Sequence, residues 1–380
     1  MQPAVVTSSL HEQDDPSASD TTLDGVPYWR TGTGNGLSGR AILGLWPVLR
    51  EIAVVRLLKK RIQSLLDIQQ FDLIHAHSPA LCGIAAWQAA RSRRLPFVYE
   101  IRSFWEDADL DPQKSLWKLI RYHLARNLES FVVRRADATV GIAQSVLRDL
   151  EIRKMPLRKL YHVPNGVDVA RFAPRARDTA LAAELGLNGV PTLGFIGTLF
   201  PWEGVPWLVR ASAELHRMGT PFRLLIVGDG REALEVRRVI QETGSTGYIS
   251  FLGRVPNDQV ERYYSLMDLL LYPRLSVRIT EMVTPLKPLE AMALGKAILG
   301  SNVGGIRELI EPEKTGLLFK PENIQDFCRV ASRLLNQPNL RRALGEEARR
   351  KVSAEKDWSV LARRYEAVYS AAYRESMGRG

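Results

Sequence analysis

The chain has 380 residues, of which 45% are hydrophobic and 25% are charged. This composition is ordinary for a globular protein and long enough for two α/β domains, and it excludes a chain that is disordered as a whole. The 52 basic residues outnumber the 42 acidic ones, and the net charge of +10 favours anionic partners such as nucleotides, lipid phosphates or nucleic acid.

Short apolar runs alternate with amphipathic stretches along the chain, a pattern that predicts parallel sheets covered by helices. The predicted strands are Phe71–Ala76, Pro96–Ile101, Ala138–Ile142, Lys159–Val163, Thr192–Gly197, Arg223–Val227, Ile249–Leu252, Leu269–Tyr272, Ala297–Gly300 and Gly316–Phe319. The expected fold class is therefore α/β, with two Rossmann-like domains at residues 1–172 and 173–356. Residues 357–380 are expected to form a C-terminal amphipathic helix.

The cysteines and the longest apolar runs indicate the cellular compartment of the protein. Cys82 and Cys328 lie far apart in apolar contexts, which is typical of buried thiols in a reducing compartment and not of a disulfide or a metal pair. No apolar run approaches the roughly 20 residues of a membrane span, and the first residues lack the order of a signal peptide. We therefore expect a cytoplasmic protein.

Two predicted helices combine apolar stripes with basic side chains, one within Leu43–Leu66 and the other within Ser115–Arg135. Such helices can lie in the headgroup region of an anionic membrane. A helix that packs on a core and exposes its charged side would show the same stripes. The sequence leaves both interpretations open, and the net charge favours peripheral contact with an anionic membrane.

The segment Thr284–Lys296 predicts a helix start that carries charged groups. Pro288 suits the first helical position, and Gly295 suits a left-handed residue at the helix end. The unpaired N–H groups at such a start, near Leu289 and Glu290, attract phosphate, and Lys287 adds a positive charge. A first-turn carboxylate that complements the helix dipole is the simpler explanation of Glu290.

Glycine-rich turns follow two predicted strands, at the sheet edge where α/β proteins bind ligands. One turn contains Gly197 and Thr198, and the other contains Gly228, Asp229 and Gly230. A plain tight turn would explain the second almost as well. A third segment, Phe251–Arg254, ends in an arginine that either stacks on a base or pairs with Asp258.

Together these segments resemble a known enzyme family. Five motifs occur in the order seen in retaining GT-B glycosyltransferases of family four. They are Gly228-Asp229-Gly230, Phe251–Pro256, Leu271-Tyr272-Pro273, Pro288–Gly295 and Val303–Ile310. The segment Val163–Asp168, followed by Phe172, resembles the interdomain stretch of that family. Thr284–Glu290 and Tyr99–Asp107 are most similar to exopolysaccharide transferases of exosortase-associated gene clusters. The resemblance implies two Rossmann-like domains that face each other across a cleft.

The resemblance also implies roles for the donor-site residues. Glu290 would hold the ribose hydroxyls and Glu281 the sugar, although Glu281 precedes Glu290 by nine positions, one more than the family pattern. Family members commonly carry Arg at Thr198 and Lys at Glu203, where they bind the donor diphosphate. Because both cations are absent here, Lys287 is the best candidate for that role, and two further arginines are weaker ones: Arg274 and Arg278.

The acceptor side departs from the family as well. Many relatives place a histidine where this chain has Arg102, which cannot act as a base at neutral pH but can hold a phosphate on a polyprenyl-diphosphate-linked acceptor. His77, at a strand end, is a second candidate acceptor contact. No metal-ligand spacing is evident, so we expect neither a metal nor a cofactor beyond the nucleotide-sugar donor.

These features predict a retaining glycosyltransferase that moves a sugar from a nucleotide-diphosphate sugar to a glycan or lipid-linked acceptor in bacterial exopolysaccharide or cell-surface polysaccharide synthesis. A catalytically degenerate GT-B subunit that binds a partner is one alternative, and a sugar-nucleotide 2-epimerase is a less favoured one. Only the net charge favours nucleic acid, which we do not expect as a partner. Relatives generally open with a strand, a glycine-rich loop and a helix, whereas Pro3–Ser9 resembles their second strand. The opening strand, loop and helix are therefore expected to be missing, through either a late start codon or truncation.

Overall fold

The computed structural model describes residues 2–8, 20–31, 47–108, 116–187 and 189–378. The chain divides into two compact units. The first comprises Met1–Ile142, Val146–His162 and Tyr365–Gly380, and the second comprises Ala143–Ser145 and Val163–Arg364.

The first unit contains two sheets. Strands β1 (Val5–Thr7), β2 (Thr21–Leu23) and β3 (Val26–Arg30) form a small sheet in which β3 is central, parallel to β1 and antiparallel to β2. The second sheet is parallel throughout and has the order β4-β5-β6-β7. Its strands are β4 (Ile74–His77), β5 (Phe97–Ile101), β6 (Ala138–Gly141) and β7 (Leu160–His162). The four strands predicted for this half of the chain are confirmed, and their ends differ from the prediction by at most three residues.

Helices connect and cover these strands. They are α1 (Pro47–Ile68), α2 (Ala80–Arg93), α3 (Leu116–Arg135) and α4 (Gln144–Ile152). All five residues of β5 are buried, as expected for a parallel strand covered on both faces. Successive side chains of a strand project to opposite faces of the sheet, so Tyr99 and Glu100 on β5 have different partners.

The buried polar residues of β5 lie in two separate environments. The Tyr99 hydroxyl donates a 2.7 Å hydrogen bond to Oε1 of Glu129 on α3. Burial raises the pKa of Glu129 to about 8, so this carboxyl is mainly protonated at neutral pH. Glu100 instead contacts two histidines, His75 and His77, which occupy the neighbouring strand.

The two amphipathic helices predicted to be basic differ in what their apolar residues contact. Helix α1 packs against α2 and buries Val54, Leu58 and Leu65, so its apolar stripe faces the core. The first half of α3 exposes its large apolar residues. They are Leu116, Trp117, Leu119, Ile120 and Leu124, with exposed fractions from 38% to 75%. Residues 43–46 and 115 of the predicted helices lie outside the described residues.

The second unit is built on a six-stranded parallel sheet with the order β10-β9-β8-β11-β12-β13. Its strands are β8 (Thr192–Ile196), β9 (Arg223–Val227), β10 (Ile249–Gly253), β11 (Leu269–Tyr272), β12 (Ala297–Ser301) and β13 (Leu317–Phe319). Counted from β8, this is the 3-2-1-4-5-6 order of the doubly wound Rossmann fold. The strand order reverses between β8 and β11, so a ligand crevice is expected at their carboxyl ends.

Alternation along the strands divides the core of the second unit into two layers. On β9, Leu224 and Ile226 belong to one buried cluster, whereas Leu225 and Val227 belong to the other. The sheet is therefore covered on both faces. The helices are α5 (Thr179–Glu184), α6 (Val205–Arg217), α7 (Ala233–Glu242), α8 (Val260–Leu266), α9 (Arg278–Met282), α10 (Lys287–Ala293), α11 (Gly304–Arg307), α12 (Ile324–Asn336) and α13 (Pro338–Glu355).

The expected C-terminal helix is present as α14 (Trp358–Met377). Its residues up to Arg364 count with the second unit, and those from Tyr365 onward count with the first. Among the helices in the described ranges, none is both long and apolar enough to span a bilayer.

Candidate functional site

A cavity of about 680 Å³ lies at the carboxyl ends of β8 and β9, beside the point where the strand order reverses. This volume is within the range of small-molecule sites, roughly 300–1,000 Å³. The cavity is lined by Ile196, Gly197, Thr198, Val227, Gly228, Asp229, Gly230, Arg254, Val255, Pro256, Asn257, Val260 and Lys287. It therefore brings together seven of the predicted donor-site residues from four separate segments of the sequence.

Two glycine turns form one wall of the cavity by direct backbone contact. The Gly197 N–H donates to Val227 O at 3.0 Å, and the Leu199 N–H donates to Asp229 O at 2.9 Å. Gly228 has φ +139°, and a Cβ atom there would lie 1.8 Å from Gly197 O. Glycine is therefore required at position 228, both by its backbone conformation and by the close approach of the two turns.

The two charged residues at the start of α10 form an ion pair. Lys287 Nζ donates to both carboxylate oxygens of Glu290, at 2.9 and 3.0 Å. The buried Tyr264 hydroxyl donates to Glu290 Oε2 at 3.0 Å, and the Tyr272 hydroxyl donates to Lys287 O at 2.9 Å. Neither tyrosine was predicted as a site residue, because their hydroxyls reach α10 only through the tertiary fold. These hydrogen bonds connect the ion pair to β11 and α8, and Lys287 lines the cavity.

The helix start differs from the expectation in two details. Helix α10 begins at Lys287, so Pro288 is its second residue, whereas Gly295 has the expected left-handed conformation with φ +68°. The N–H groups of Leu289 and Glu290 already donate to Leu286 O, at 3.0 and 3.4 Å. These two groups are therefore not open to phosphate, contrary to the prediction. Leu289 is also fully buried and does not line the cavity.

Arg274 is part of a buried ion pair and does not reach the cavity. Its Nε donates to Glu203 Oε1 at 3.2 Å, and its NH1 donates to Val283 O at 2.9 Å. Only 4% of its side chain is exposed. Arg274 is thus a structural partner of Glu203, which corrects its assignment as a donor contact. The other weak candidate, Arg278, is exposed and also lies outside the cavity lining.

Glu281 caps a short helix. Its Oε2 accepts a 2.7 Å hydrogen bond from the N–H of Gly304, the first residue of α11, and lies 3.3 Å from Arg307 NH2. The Ser276 hydroxyl donates to Oε1 at 3.1 Å. Glu281 does not line the cavity, so the structure does not bring it together with the other donor-site candidates. Its role toward the sugar stays a prediction.

Arg254 lines the cavity with an exposed side chain. Within the part of the chain that the structure describes, no carboxylate forms an ion pair with Arg254, and the pairing with Asp258 that the sequence allowed is not formed. The Arg254 guanidinium is therefore available to a ligand in the cavity, whereas the charge of Lys287 is shared with Glu290.

The acceptor candidates of the first unit meet at the carboxyl ends of β4 and β5. Arg102 NH1 donates to Glu100 Oε1 at 2.9 Å, and His77 Nδ1 lies 3.3 Å from the same oxygen. Burial alone would raise the pKa of Glu100, but His75 and His77 outweigh it and hold this pKa well below its ordinary value. The carboxylate is therefore ionised. Sequence reasoning missed Glu100, although the His-x-His spacing on a strand signals two rings on one face.

Comparison with known proteins agrees with this architecture. Residues 18–171 match the family model described as glycosyltransferase family 4, and residues 178–351 match the model for glycosyl transferases group 1. The two matched segments follow one another along the chain, one on each of the two expected Rossmann-like domains. The chain is a glycosyltransferase with the GT-B fold.

Individual relatives support the same assignment of this glycosyltransferase. A GDP-mannose-dependent alpha-mannosyltransferase of Mycolicibacterium smegmatis is 29% identical over 306 residues, which are 78% of this chain and 74% of that protein. HepE of Anabaena, solved in complex with UDP, has a TM-score of 0.70 at 20% identity, covering 86% of this chain and 84% of its own. Sucrose-phosphate synthase of Thermosynechococcus elongatus has a TM-score of 0.76 at 19% identity, covering 98% of each chain. At these identities, the two structures show the fold alone.

Proposed function

We propose that this glycosyltransferase is a retaining enzyme that transfers a sugar from a nucleotide-diphosphate sugar to a glycan or polyprenyl-diphosphate-linked acceptor, in bacterial exopolysaccharide or cell-surface polysaccharide synthesis. The observation that carries the proposal is the cavity of the second unit, which gathers two glycine turns, Arg254 and Lys287. The names of relatives that use GDP-mannose or bind UDP agree with a nucleotide-sugar donor.

The donor is proposed to lie along the cavity in three parts. Arg254 stacks on or hydrogen-bonds the base, Glu290 accepts hydrogen bonds from the ribose hydroxyls, and Lys287 with the glycine turns holds the diphosphate. In a retaining transfer of this kind, the leaving phosphate itself accepts the acceptor proton on the same face of the sugar. The site then needs cations and oriented N–H groups more than a strong nucleophile. The anomeric configuration of the product, read by NMR, tests retention.

The proposed acceptor contacts are His77 and Arg102. Both are partly exposed, and Arg102 carries a positive charge that suits a phosphate on a lipid-linked acceptor. A lipid-linked acceptor would bring the enzyme to the inner face of the cell membrane.

We also propose that the exposed apolar face of α3, defined by Leu116, Trp117, Ile120 and Leu124, contacts an anionic membrane. Lys118 and Arg121 on the same helix supply the complementary charge. Replacing Trp117 by Glu is expected to weaken sedimentation with anionic vesicles by about tenfold or more, since it removes buried apolar area and adds a repelled charge. Ile152→Glu, at a helix residue that is 75% exposed, is the matched control. Equal binding of all three proteins would contradict the proposal.

The role of Lys287 gives a direct test of the donor site. Lys287→Ala is expected to weaken UDP or GDP binding by about 10–100-fold, because a charge-assisted contact to phosphate contributes about 1.5–3 kcal/mol. Binding of the corresponding nucleoside should change little. Calorimetric titration of each ligand measures both affinities.

Lys320→Ala serves as the control, since Lys320 is exposed and outside the cavity lining. If Lys287→Ala weakened nucleoside and diphosphate alike, the diphosphate would be bound elsewhere. Intact nucleotide binding without transfer to any acceptor would instead favour a degenerate GT-B subunit.

A further inference from the structure

We propose that His75, His77 and Glu100 form a binding site for a divalent transition-metal ion of the Zn²⁺ or Co²⁺ type, open to solvent on the side of His77. The three residues lie at the carboxyl ends of β4 and β5, and one ligand atom from each lies within 4.8 Å of the others. The site belongs to the first unit and does not depend on the proposed donor chemistry. It departs from the expectation of no metal, for which the absence of metal-ligand spacing in the sequence was one ground.

Two of the distances between the ligand atoms are compatible with a shared metal ion. His75 Nε2 lies 3.4 Å from Glu100 Oε2, and His77 Nδ1 lies 3.3 Å from Glu100 Oε1. Ligands at about 2.0–2.1 Å from a tetrahedral Zn²⁺ are separated from one another by roughly 3.3 Å. The imidazole rings are stacked, with centroids 4.8 Å apart and planes inclined by 15°, so both nitrogens face the same carboxylate.

The second observation is an unsatisfied nitrogen. His75 Nε2 is buried and has no hydrogen-bond partner, although it faces the carboxylate of Glu100. A buried polar atom without a partner is costly, and a metal ion between the imidazole and the carboxylate would satisfy both groups.

The surrounding tyrosines provide the support that metal ligands require. A metal on His75 Nε2 selects the tautomer whose Nδ1 carries the proton, and the Tyr369 hydroxyl lies 3.0 Å from Nδ1, where it can accept that proton's hydrogen bond. The Tyr365 hydroxyl donates to Glu100 Oε2 and fixes the carboxylate. Outer partners of this kind orient metal ligands and set their tautomer.

Arg102 is the feature that opposes a cation here. Its guanidinium contacts Glu100 Oε1 at 2.9 Å and repels a metal ion, but its side chain is 38% exposed and therefore screened by water. Two of the lone-pair positions of Glu100 accept from Arg102 and Tyr365, which leaves the others directed at the imidazoles. The half-exposed His77 leaves room for water or another oxygen ligand at the open position.

Metal titration of the intact protein tests the proposal. Any affinity tag is removed, the protein is dialysed against a chelator and then against buffer, and Zn²⁺ or Co²⁺ is titrated in a calorimeter. We expect one ion per chain and, with Co²⁺, visible absorption of the intensity that tetrahedral nitrogen and oxygen ligation gives. Circular dichroism checks that each variant below is folded.

Three variants locate the ion. Tyr369→Phe is expected to weaken binding by about 10–100-fold through loss of the outer hydrogen bond, and His77→Ala by at least that factor. Arg102→Ala is expected to strengthen binding, because it removes a repelling charge. His123→Ala, at an exposed histidine on α3, is the matched control and should bind as the wild type does.

Absence of binding to the wild type would overturn the proposal, as would equal affinities of the wild type and His77→Ala. If His77→Ala does not fold, Tyr369→Phe and the Co²⁺ spectrum decide: unchanged affinity together with an octahedral spectrum would also overturn it.

Discussion

Glu290→Ala is expected to lower kcat/KM for the donor sugar nucleotide by about 10²–10⁴-fold without unfolding the protein. The proposed hydrogen bonds from two ribose hydroxyls to the carboxylate contribute about 1.5–3 kcal/mol each, and both are lost. The side chain lies at the start of α10 with 14% of its surface exposed and contacts Lys287 and the Tyr264 hydroxyl, so a moderate loss of stability is expected beside the loss of activity. Product formation measures the loss, and circular dichroism measures the fold.

The matched control is Glu235→Ala. Glu235 is also a first-turn carboxylate, on α7. It pairs with Arg238, three residues after it, whereas Glu290 pairs with Lys287, three residues before it. Neither glutamate is part of the cavity lining, but Glu290 pairs with Lys287, which lines the cavity, whereas Glu235 pairs with Arg238, which does not. Loss of Glu235 therefore removes a first-turn carboxylate and an ion pair without changing a partner of a cavity residue. Near-wild-type turnover in Glu290→Ala would exclude Glu290 from the site. Equal losses in both variants would assign the effect to helix stability.

Gly228→Ala is expected to destabilise the second unit by about 2–6 kcal/mol. A non-glycine residue at φ +139° is strained, and its Cβ would lie 1.8 Å from Gly197 O, an atom of the main chain that cannot move without displacing β8. For a unit of this size the loss corresponds to a fall in Tm of about 5–20 °C. Thermal unfolding followed by circular dichroism or calorimetry measures it.

Gly247→Ala provides the comparison for that variant. Gly247 lies in the same unit and does not have a positive φ, and a Cβ atom added there would have open space within 4 Å. The Tm of Gly247→Ala should stay within a few degrees of the wild type. If Gly228→Ala and Gly247→Ala had the same Tm, the turns at Gly197 and Gly228 would not be in close backbone contact.

The sequence by itself determined the features that depend on neighbouring residues. The ten strands of the two larger parallel sheets were predictable, because an apolar run bounded by turn residues indicates burial on both faces of a parallel sheet. The left-handed Gly295 was predictable too, because a helix end favours glycine there. The turns at Gly197 and Gly228 were expected at one edge of the sheet, since strand ends of a parallel sheet meet there, and both line the cavity.

Only the tertiary structure decided which charged groups meet. Lys287 and Arg274 look alike in sequence as cations near the motif, yet one lines the cavity and the other is buried against Glu203. His77 and Glu100 come together because the register of β4 on β5 sets them opposite each other. Ion pairs and metal-ligand sets depend on atoms brought close from distant parts of the chain, and spacing along the chain does not specify that distance. The local sequence pattern therefore predicts the helices, the strands and the sheet edge at which ligands bind. Tertiary packing determines which charged side chains pair with one another.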